Sequence, residues 1–169
     1  GIGLRVFYYL VFSDLIVVGS DATVNIALGR KLAAGNIHGV LDPYWPPLYP
    51  VLVGIVTIFV DSITLPAVIV SVIAGALAVP ITYWLAYQSY GKDTALIAAI
   101  IAVFFPNLIN SVFALGTENP YLVCVAGSLA AGWVGLTRDS SRYLFLTRML
   151  VGLAYLTRPE AFGFMIFFV

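Results

Sequence analysis

Three long segments without a charged side chain constrain the fold of this chain more than any other feature. Residues 62–91, 94–117 and 119–137 contain no Asp, Glu, Lys or Arg. A helix needs about 20 apolar residues to cross the hydrocarbon core of a bilayer, and each segment is close to that length or longer. The segments therefore predict helices that cross a membrane.

The composition excludes a soluble domain. Charged residues make up 9% of the chain, hydrophobic residues 62%, and the mean hydropathy is +1.03. A soluble domain carries roughly 25% charged residues. We therefore predict an all-α, polytopic transmembrane helical protein. Eight basic residues balance eight acidic ones, so no nucleic-acid partner is expected, and the single Cys124 excludes an intramolecular disulfide or a Cys-rich metal site.

The order of polar and apolar segments predicts one transmembrane domain. Residues 1–18 read as the end of a first membrane helix and the start of an outer loop, and residues 19–61 as an outer catalytic loop with surface helices. Residues 62–169 hold the transmembrane helices, with expected spans at 64–87, 95–116, 120–136 and 143–157 and a last helix from about 161. The chain starts without Met and stops inside an apolar run, so we expect an inactive fragment, truncated at both ends.

The outer loop is expected to hold two short helices. GSDATVNIALGRKLAAGN predicts an amphipathic surface helix that Ser20 caps and Gly35-Asn36 ends. Its apolar side is expected to hold Val24, Ala27, Leu28 and Leu32. The apolar run 51–60 would reach only about 15 Å at 1.5 Å per residue, half the hydrocarbon thickness. It is therefore expected to be interfacial or re-entrant.

Basic loops set the expected orientation, because Lys and Arg in short loops favour the cytoplasm. Lys92 and the pair Arg138/Arg142 lie two spans apart, so both loops are expected inside. If 51–60 does not span, four charged residues of the opposite loops face one compartment, the outside: Asp21, Glu118, Arg158 and Glu160. Arg148, within a span, is expected to snorkel toward the inner interface.

Three charged residues leave two interpretations open on position alone. Asp21 and Glu118 each start a predicted helix, where the macrodipole favours a carboxylate, so each could be a capping acid or a catalytic group. Arg158 could bind a phosphate through paired hydrogen bonds or anchor a helix end at the headgroups.

The role of the Pro- and aromatic-rich loop 43–50 also has two interpretations. Tyr44 and Trp45 could offer flat faces to a sugar or an isoprenoid, or could anchor the loop at the interface. His38 and Asp42 flank this loop, but two scattered ligands do not predict a zinc site.

Five motifs in order carry a resemblance over nearly the whole chain. They are SDATVNIALGRKLAAGN, WPPLYPVLVGI, YQSYGKDTALIAAIIAVFFPNLI, TENPYL and LTRPEAFGF. Together they resemble the N-terminal part of the membrane glycosyltransferases of the C superfamily. The most similar branch includes the dolichyl-phosphate-mannose–protein mannosyltransferases and the lipid A aminoarabinose transferases.

The resemblance implies a reaction and its partners. Such enzymes move a sugar from a polyprenyl-phosphate donor (dolichyl- or undecaprenyl-phosphate) to a lipid, glycan or protein acceptor, with inversion, at the outer face of the membrane. In a prokaryote this would be the plasma membrane. Many relatives show Asp-Glu followed by Tyr in the first motif, whereas Ala22 and Asn25 stand at those places here. The departure leaves the substrate class and any metal requirement open.

The resemblance also assigns roles to residues. Asp21 matches the central catalytic acid, which would act as the base, and Glu118 matches the acid of the second outer turn. Arg158 matches a basic residue near the donor phosphate, with Arg30 and Lys31 as helpers. We expect the substrate pocket to contain Tyr44, Trp45 and His38. No metal ligand and no definite cofactor is predicted, although a divalent metal is left open.

Two other functional classes compete with the enzyme. A transporter or flippase of a lipid-linked substrate would use intramembrane charges and broken helices, and a non-catalytic scaffold would use Ala- and Gly-rich packing surfaces. The spans contain no acid, and their single base is Arg148, which disfavours a transporter. The enzyme requires Asp21 and Glu118 on one face, whereas a scaffold does not.

Overall fold

A computed structural model describes residues 1–13 and 18–164, and within these ranges the chain forms helices and no strands. The helices are α1 (Ile2–Phe12), α2 (Ser20–Ala33), α3 (Leu48–Thr57), α4 (Leu65–Tyr90), α5 (Lys92–Phe104), α6 (Pro106–Ala114), α7 (Glu118–Thr137) and α8 (Ser141–Tyr155). Two 3₁₀ turns lie at His38–Val40 and Pro159–Ala161.

Among the described residues, three helical segments are long and apolar enough to cross a membrane: α4, the α5–α6 unit and α7. The predicted all-α, membrane-spanning fold class is confirmed. Helix α8 has 15 residues, as many as the predicted span of 143–157 but fewer than a full crossing needs. Residues 162–164, directly after the 3₁₀ turn Pro159–Ala161, are helical, in agreement with a last helix from about 161. Residues 165–169 lie outside the described ranges, as do residues 14–17 of the first loop.

The predicted span 95–116 agrees with the membrane-spanning segment Lys92–Ala114, but this segment is not one continuous helix. The segment is two helices, α5 and α6, separated by Phe105 in an extended conformation. The cause is Pro106, because a proline disfavours helical dihedral angles in the residue before it. Proline itself is accepted at the first position of α6.

The predicted details of α2 are also partly wrong. Ser20 is the first helical residue rather than the cap, and Gly19 caps the helix without a side-chain hydrogen bond. Of the predicted apolar side, only Leu28 is fully buried; the buried face runs instead through Ala22, Asn25, Ile26 and Gly29. The physical reason is the size of the residues, since small side chains on this face let α2 approach α3 closely.

Helix α3 is short, as expected, but begins at Leu48 rather than after Pro50. Pro50 lies in the first turn, where a missing N–H costs no helical hydrogen bond. The helix packs between α2 and α4, and Tyr49 and Val53 are fully buried. A Cβ at Gly54 would lie 2.8 Å from the Gly29 carbonyl oxygen, so the α2–α3 crossing depends on two glycines.

The two basic loops lie at one end of the helical bundle. At the end of α4, the Gln88 carbonyl accepts a hydrogen bond from Trp133 Nε1 (3.3 Å), and Gln88 Oε1 accepts one from Arg138 Nη2 (3.2 Å). Helix α5 starts at Lys92, two residues after α4 ends. The loop of residues 19–61 and the starts of α4 and α7 lie at the other end.

Candidate functional site

A polar cavity of about 190 Å³ lies where the first turn of α2, the first turn of α7 and the chain after α8 meet. Its lining contains four charged side chains, two aromatic residues of the outer loop and several small or turn residues. The lining residues are Asp21, Asn25, Tyr44, Trp45, Pro46, Gly116, Thr117, Glu118, Thr157, Arg158, Pro159 and Glu160.

Buried backbone and side-chain contacts join these distant segments. The Leu48 N–H, at the start of α3, donates to the Leu156 carbonyl after α8 at 2.9 Å. Thr157 is 1% exposed, and its hydroxyl donates to the Ala154 carbonyl at 2.6 Å, which fixes the turn before Arg158. The α2–α3 glycine crossing then places Asp21 beside this turn.

Arg158 is held between two carboxylates. Its Nη1 lies 3.5 Å from Glu118 Oε1, and its Nε lies 3.8 Å from Glu160 Oε2. The guanidinium carbon also lies 5.9 Å from the centre of the Tyr121 ring, within the range of a cation–π contact. The side chain is 35% exposed, so the positive charge is oriented by protein groups while remaining open to the cavity.

Glu118 is the first residue of α7, where the helix dipole favours its negative charge. Its carboxylate lies directly over Gly116, and a Cβ at that position would collide with Glu118 Oε2. Gly116 was not among the predicted site residues, although a glycine directly before the TENP turn is a signal for close approach.

Asp21 lies in the first turn of α2 and is exposed to the cavity. The Ser20 hydroxyl donates to Asp21 Oδ1 at 3.1 Å, and Asn25 Nδ2 donates to the Asp21 carbonyl at 2.9 Å. Asn25 is 2% exposed, and its Oδ1 has no hydrogen-bond partner within the described part of the chain. Sequence reasoning noted Asn25 as a departure from relatives but did not place it in the site.

The aromatic loop forms one wall of the cavity. The Tyr44 N–H donates to Asp42 Oδ1 at 2.8 Å, and this turn leaves the Tyr44 ring 92% exposed. Trp45 is partly buried. Both residues also line a neighbouring depression of about 180 Å³, so their faces are open on two sides.

Three predicted site residues lie away from the cavity. Arg30 and Lys31 are exposed in the last turn of α2, and nine residues along a helix correspond to about 14 Å from Asp21. His38 is exposed in the 3₁₀ turn and does not line the cavity. Among residues 1–13 and 18–164, no three His, Cys, Asp or Glu side chains are arranged to hold a metal ion.

An apolar groove of about 360 Å³ begins close to the cavity and follows α3, α4, α7 and α8. Its upper end includes Leu48 and Pro120, each two residues from a cavity-lining residue. Its remaining wall is aliphatic apart from one thiol: Leu52, Ile55, Val56, Val70, Ile73, Ala74, Leu77, Val123, Cys124 and Leu153. The polar cavity and the apolar groove therefore lie next to each other.

Comparison with known proteins gives one family match. The sequence model of the family described as dolichyl-phosphate-mannose-protein mannosyltransferase matches residues 45–169. No curated protein and no solved structure matches the chain. The match includes Glu118 and Arg158 but not Asp21, which precedes it. The match covers most of the chain and agrees with the fold, and the chain therefore belongs to the dolichyl-phosphate-mannose-protein mannosyltransferase family of membrane glycosyltransferases.

Proposed function

We propose that this chain forms the catalytic end of a glycosyltransferase that moves a sugar from a polyprenyl phosphate to an acceptor at the outer face of the membrane. The observation that carries the proposal is the meeting of Asp21, Glu118 and Arg158 in one cavity beside an apolar groove. These residues come from three segments far apart in sequence. A helix-capping or headgroup-anchoring role for each would not require them to converge.

In this proposal Arg158 stabilises the leaving phosphate. A planar guanidinium binds phosphate oxygens through paired hydrogen bonds, and the neighbouring carboxylates already orient it. At 3.5 Å, the contact with Glu118 is long and partly exposed, so a doubly hydrogen-bonded phosphate can replace it at small cost. Glu118 would then be free to orient the acceptor.

Asp21 is the proposed general base. Inverting transfer requires one carboxylate to take the proton from the acceptor hydroxyl while the anomeric carbon loses the phosphate. The Asp21 side chain is exposed to the cavity, and its Oδ1 accepts a hydrogen bond from Ser20. The second carboxylate oxygen of Asp21 has no protein partner in the described ranges, so it can accept the proton of the nucleophile.

The apolar groove suits the isoprenoid chain of the donor. Its wall is almost entirely aliphatic, so binding there would remove the apolar surface of the isoprenoid chain from water. The wall offers no hydrogen-bonding group to a polar ligand. It starts at the level of the cavity and continues along membrane-spanning helices. A donor can therefore place its phosphate at Arg158 while its chain remains at bilayer depth.

The proposal is tested with the full-length protein in liposomes and a panel of labelled polyprenyl-phosphate sugars. Asp21→Asn keeps the size of the side chain and removes the base, and we expect at least a 100-fold loss of transfer, the lower range for general-base catalysis. Asp61→Asn is the matched control, because Asp61 is an exposed outer-loop acid that does not line the cavity.

Equal transfer by the wild-type protein and Asp21→Asn would refute Asp21 as the base. If neither protein consumed any donor, yet labelled lipid crossed the bilayer, the chain would be a flippase rather than a transferase.

A further inference from the structure

The segment that carries Glu118 into the cavity is anchored from α3. The Tyr49 hydroxyl donates a hydrogen bond to the Leu115 carbonyl at 2.8 Å, across 66 positions of sequence. Both residues are fully buried. Leu115 follows α6 directly, and Glu118 is three residues further on, so this bond fixes one end of the turn 115–118 (the Glu118 turn).

The other end of the Glu118 turn is anchored by Asn119. This residue is 2% exposed. Its Nδ2 donates to the Ser71 carbonyl of α4 at 3.1 Å, and its Oδ1 accepts a hydrogen bond from the Ser111 hydroxyl of α6 at 2.7 Å. The Glu118 turn is therefore held by buried side-chain bonds on both sides, while Glu118 itself is half exposed.

The backbone of the Glu118 turn needs this support. Leu115 has φ 48° and ψ 37°, the left-handed conformation, which is unfavourable for a residue with a side chain. Such a conformation persists where the surrounding contacts determine it. Burial raises the pKa of the Tyr49 phenol, so its hydroxyl stays protonated and acts as a donor.

We propose that Tyr49 is a positioning residue for Glu118: its hydrogen bond to Leu115 sets the Glu118 turn so that the carboxylate faces the cavity. Tyr49 does not line the cavity and touches no reacting group. Tyr49 lies in the first turn of α3, four residues after Trp45 of the cavity wall. This inference rests on the function proposed above, because it concerns the same reaction.

The test is Tyr49→Phe in the full-length protein, assayed for sugar transfer from the donor that the wild-type protein uses. The substitution keeps the buried ring and removes the hydroxyl. A displacement of the carboxylate by about 1 Å is expected to lower kcat by up to about 100-fold, with a smaller change in the KM for the donor. Tyr143→Phe is the matched control. Tyr143 lies on α8, the centre of its ring is 6.1 Å from that of Trp84, and it does not line the cavity.

A double substitution separates positioning from a general structural effect. In a Glu118→Gln background, Tyr49→Phe is expected to change kcat by less than about threefold, because the group that it positions is already disabled. Ser111→Ala, which removes the donor to Asn119 Oδ1, tests the second anchor and is expected to lower kcat in the same direction.

Two results would overturn the inference: a wild-type kcat for Tyr49→Phe, or the same fold loss in the presence and absence of Glu118. These results are distinct from a failure of the proposed function, which would appear as unchanged transfer by both Asp21→Asn and Glu118→Gln. If Tyr49→Phe reduced the amount of folded protein, rates would be normalised to the monodisperse fraction, and Ser111→Ala would decide the question.

Discussion

The crossing of α2 and α3 predicts a measurable loss of stability for Gly54→Ala. The added methyl would lie 2.8 Å from the Gly29 carbonyl oxygen and 2.8 Å from Leu32 Cδ2. The Leu32 side chain can rotate away, but the carbonyl belongs to the backbone of α2 and moves only with the helix. Overpacking of this kind costs about 1–3 kcal/mol, whereas replacing a helical glycine with alanine gains roughly 0.5–1 kcal/mol. The expected net destabilisation is up to about 2.5 kcal/mol.

Gly152→Ala is the control for this prediction. Gly152 lies within α8, and a Cβ there meets no atom within 4 Å. Only the gain in helix propensity remains, so this variant is expected to be more stable than the wild type by about 0.5–1 kcal/mol. Each kcal/mol corresponds to a Tm change of about 2–4 °C for a chain of this size. The measurement is thermal unfolding in detergent, followed by tryptophan fluorescence. If Gly54→Ala were as stable as Gly152→Ala, the close crossing of α2 and α3 would be refuted.

Four further outcomes are expected. Gly116→Ala displaces the Glu118 carboxylate but meets only the end of a flexible side chain, so transfer falls at least about tenfold while the Tm is unchanged. Arg158→Lys keeps the charge but loses the paired donors, so the KM for the donor rises about tenfold; an unchanged KM would exclude a bidentate phosphate contact. Transfer is expected to persist in EDTA, because Arg158 supplies the positive charge at the phosphate. Loss of transfer in EDTA would reveal a required metal ion. In a Cys124→Ala background, an impermeant maleimide labels Ser20→Cys from outside and Ser141→Cys only after permeabilisation.

The fold class could be predicted because uncharged segments of membrane-spanning length have few alternatives. The start of α7 at Glu118 and the end of α2 before Gly35 also follow from local signals, since Gly35 has φ 84° and ends the helix as expected. The break at Phe105 was predictable from Pro106, but the long apolar run favoured the prediction of one helix. The buried face of α2 was not predictable from hydropathy, because Gly29 and Ala22 form a packing surface through their small size.

The candidate site was only partly accessible from the sequence. Charged residues at predicted loop ends and the resemblance indicated Asp21, Glu118 and Arg158, and parity of the spans placed them on one side. Arg30 and Lys31 were expected to help stabilise the charge of the phosphate, but the helix carries them about 14 Å from Asp21. Tyr49 could not be found, since its role depends on a bond across 66 positions.

The most direct test of the central claim is a cryo-EM structure of the full-length protein with a bound polyprenyl phosphate. We expect phosphate density within hydrogen-bond distance of the Arg158 guanidinium, with the Glu118 carboxylate turned away from the phosphate. The isoprenoid chain is predicted to lie in the groove lined by Leu52, Leu77 and Val123. Phosphate density at another place in the bundle, with the cavity at Asp21 filled by solvent, would contradict the account.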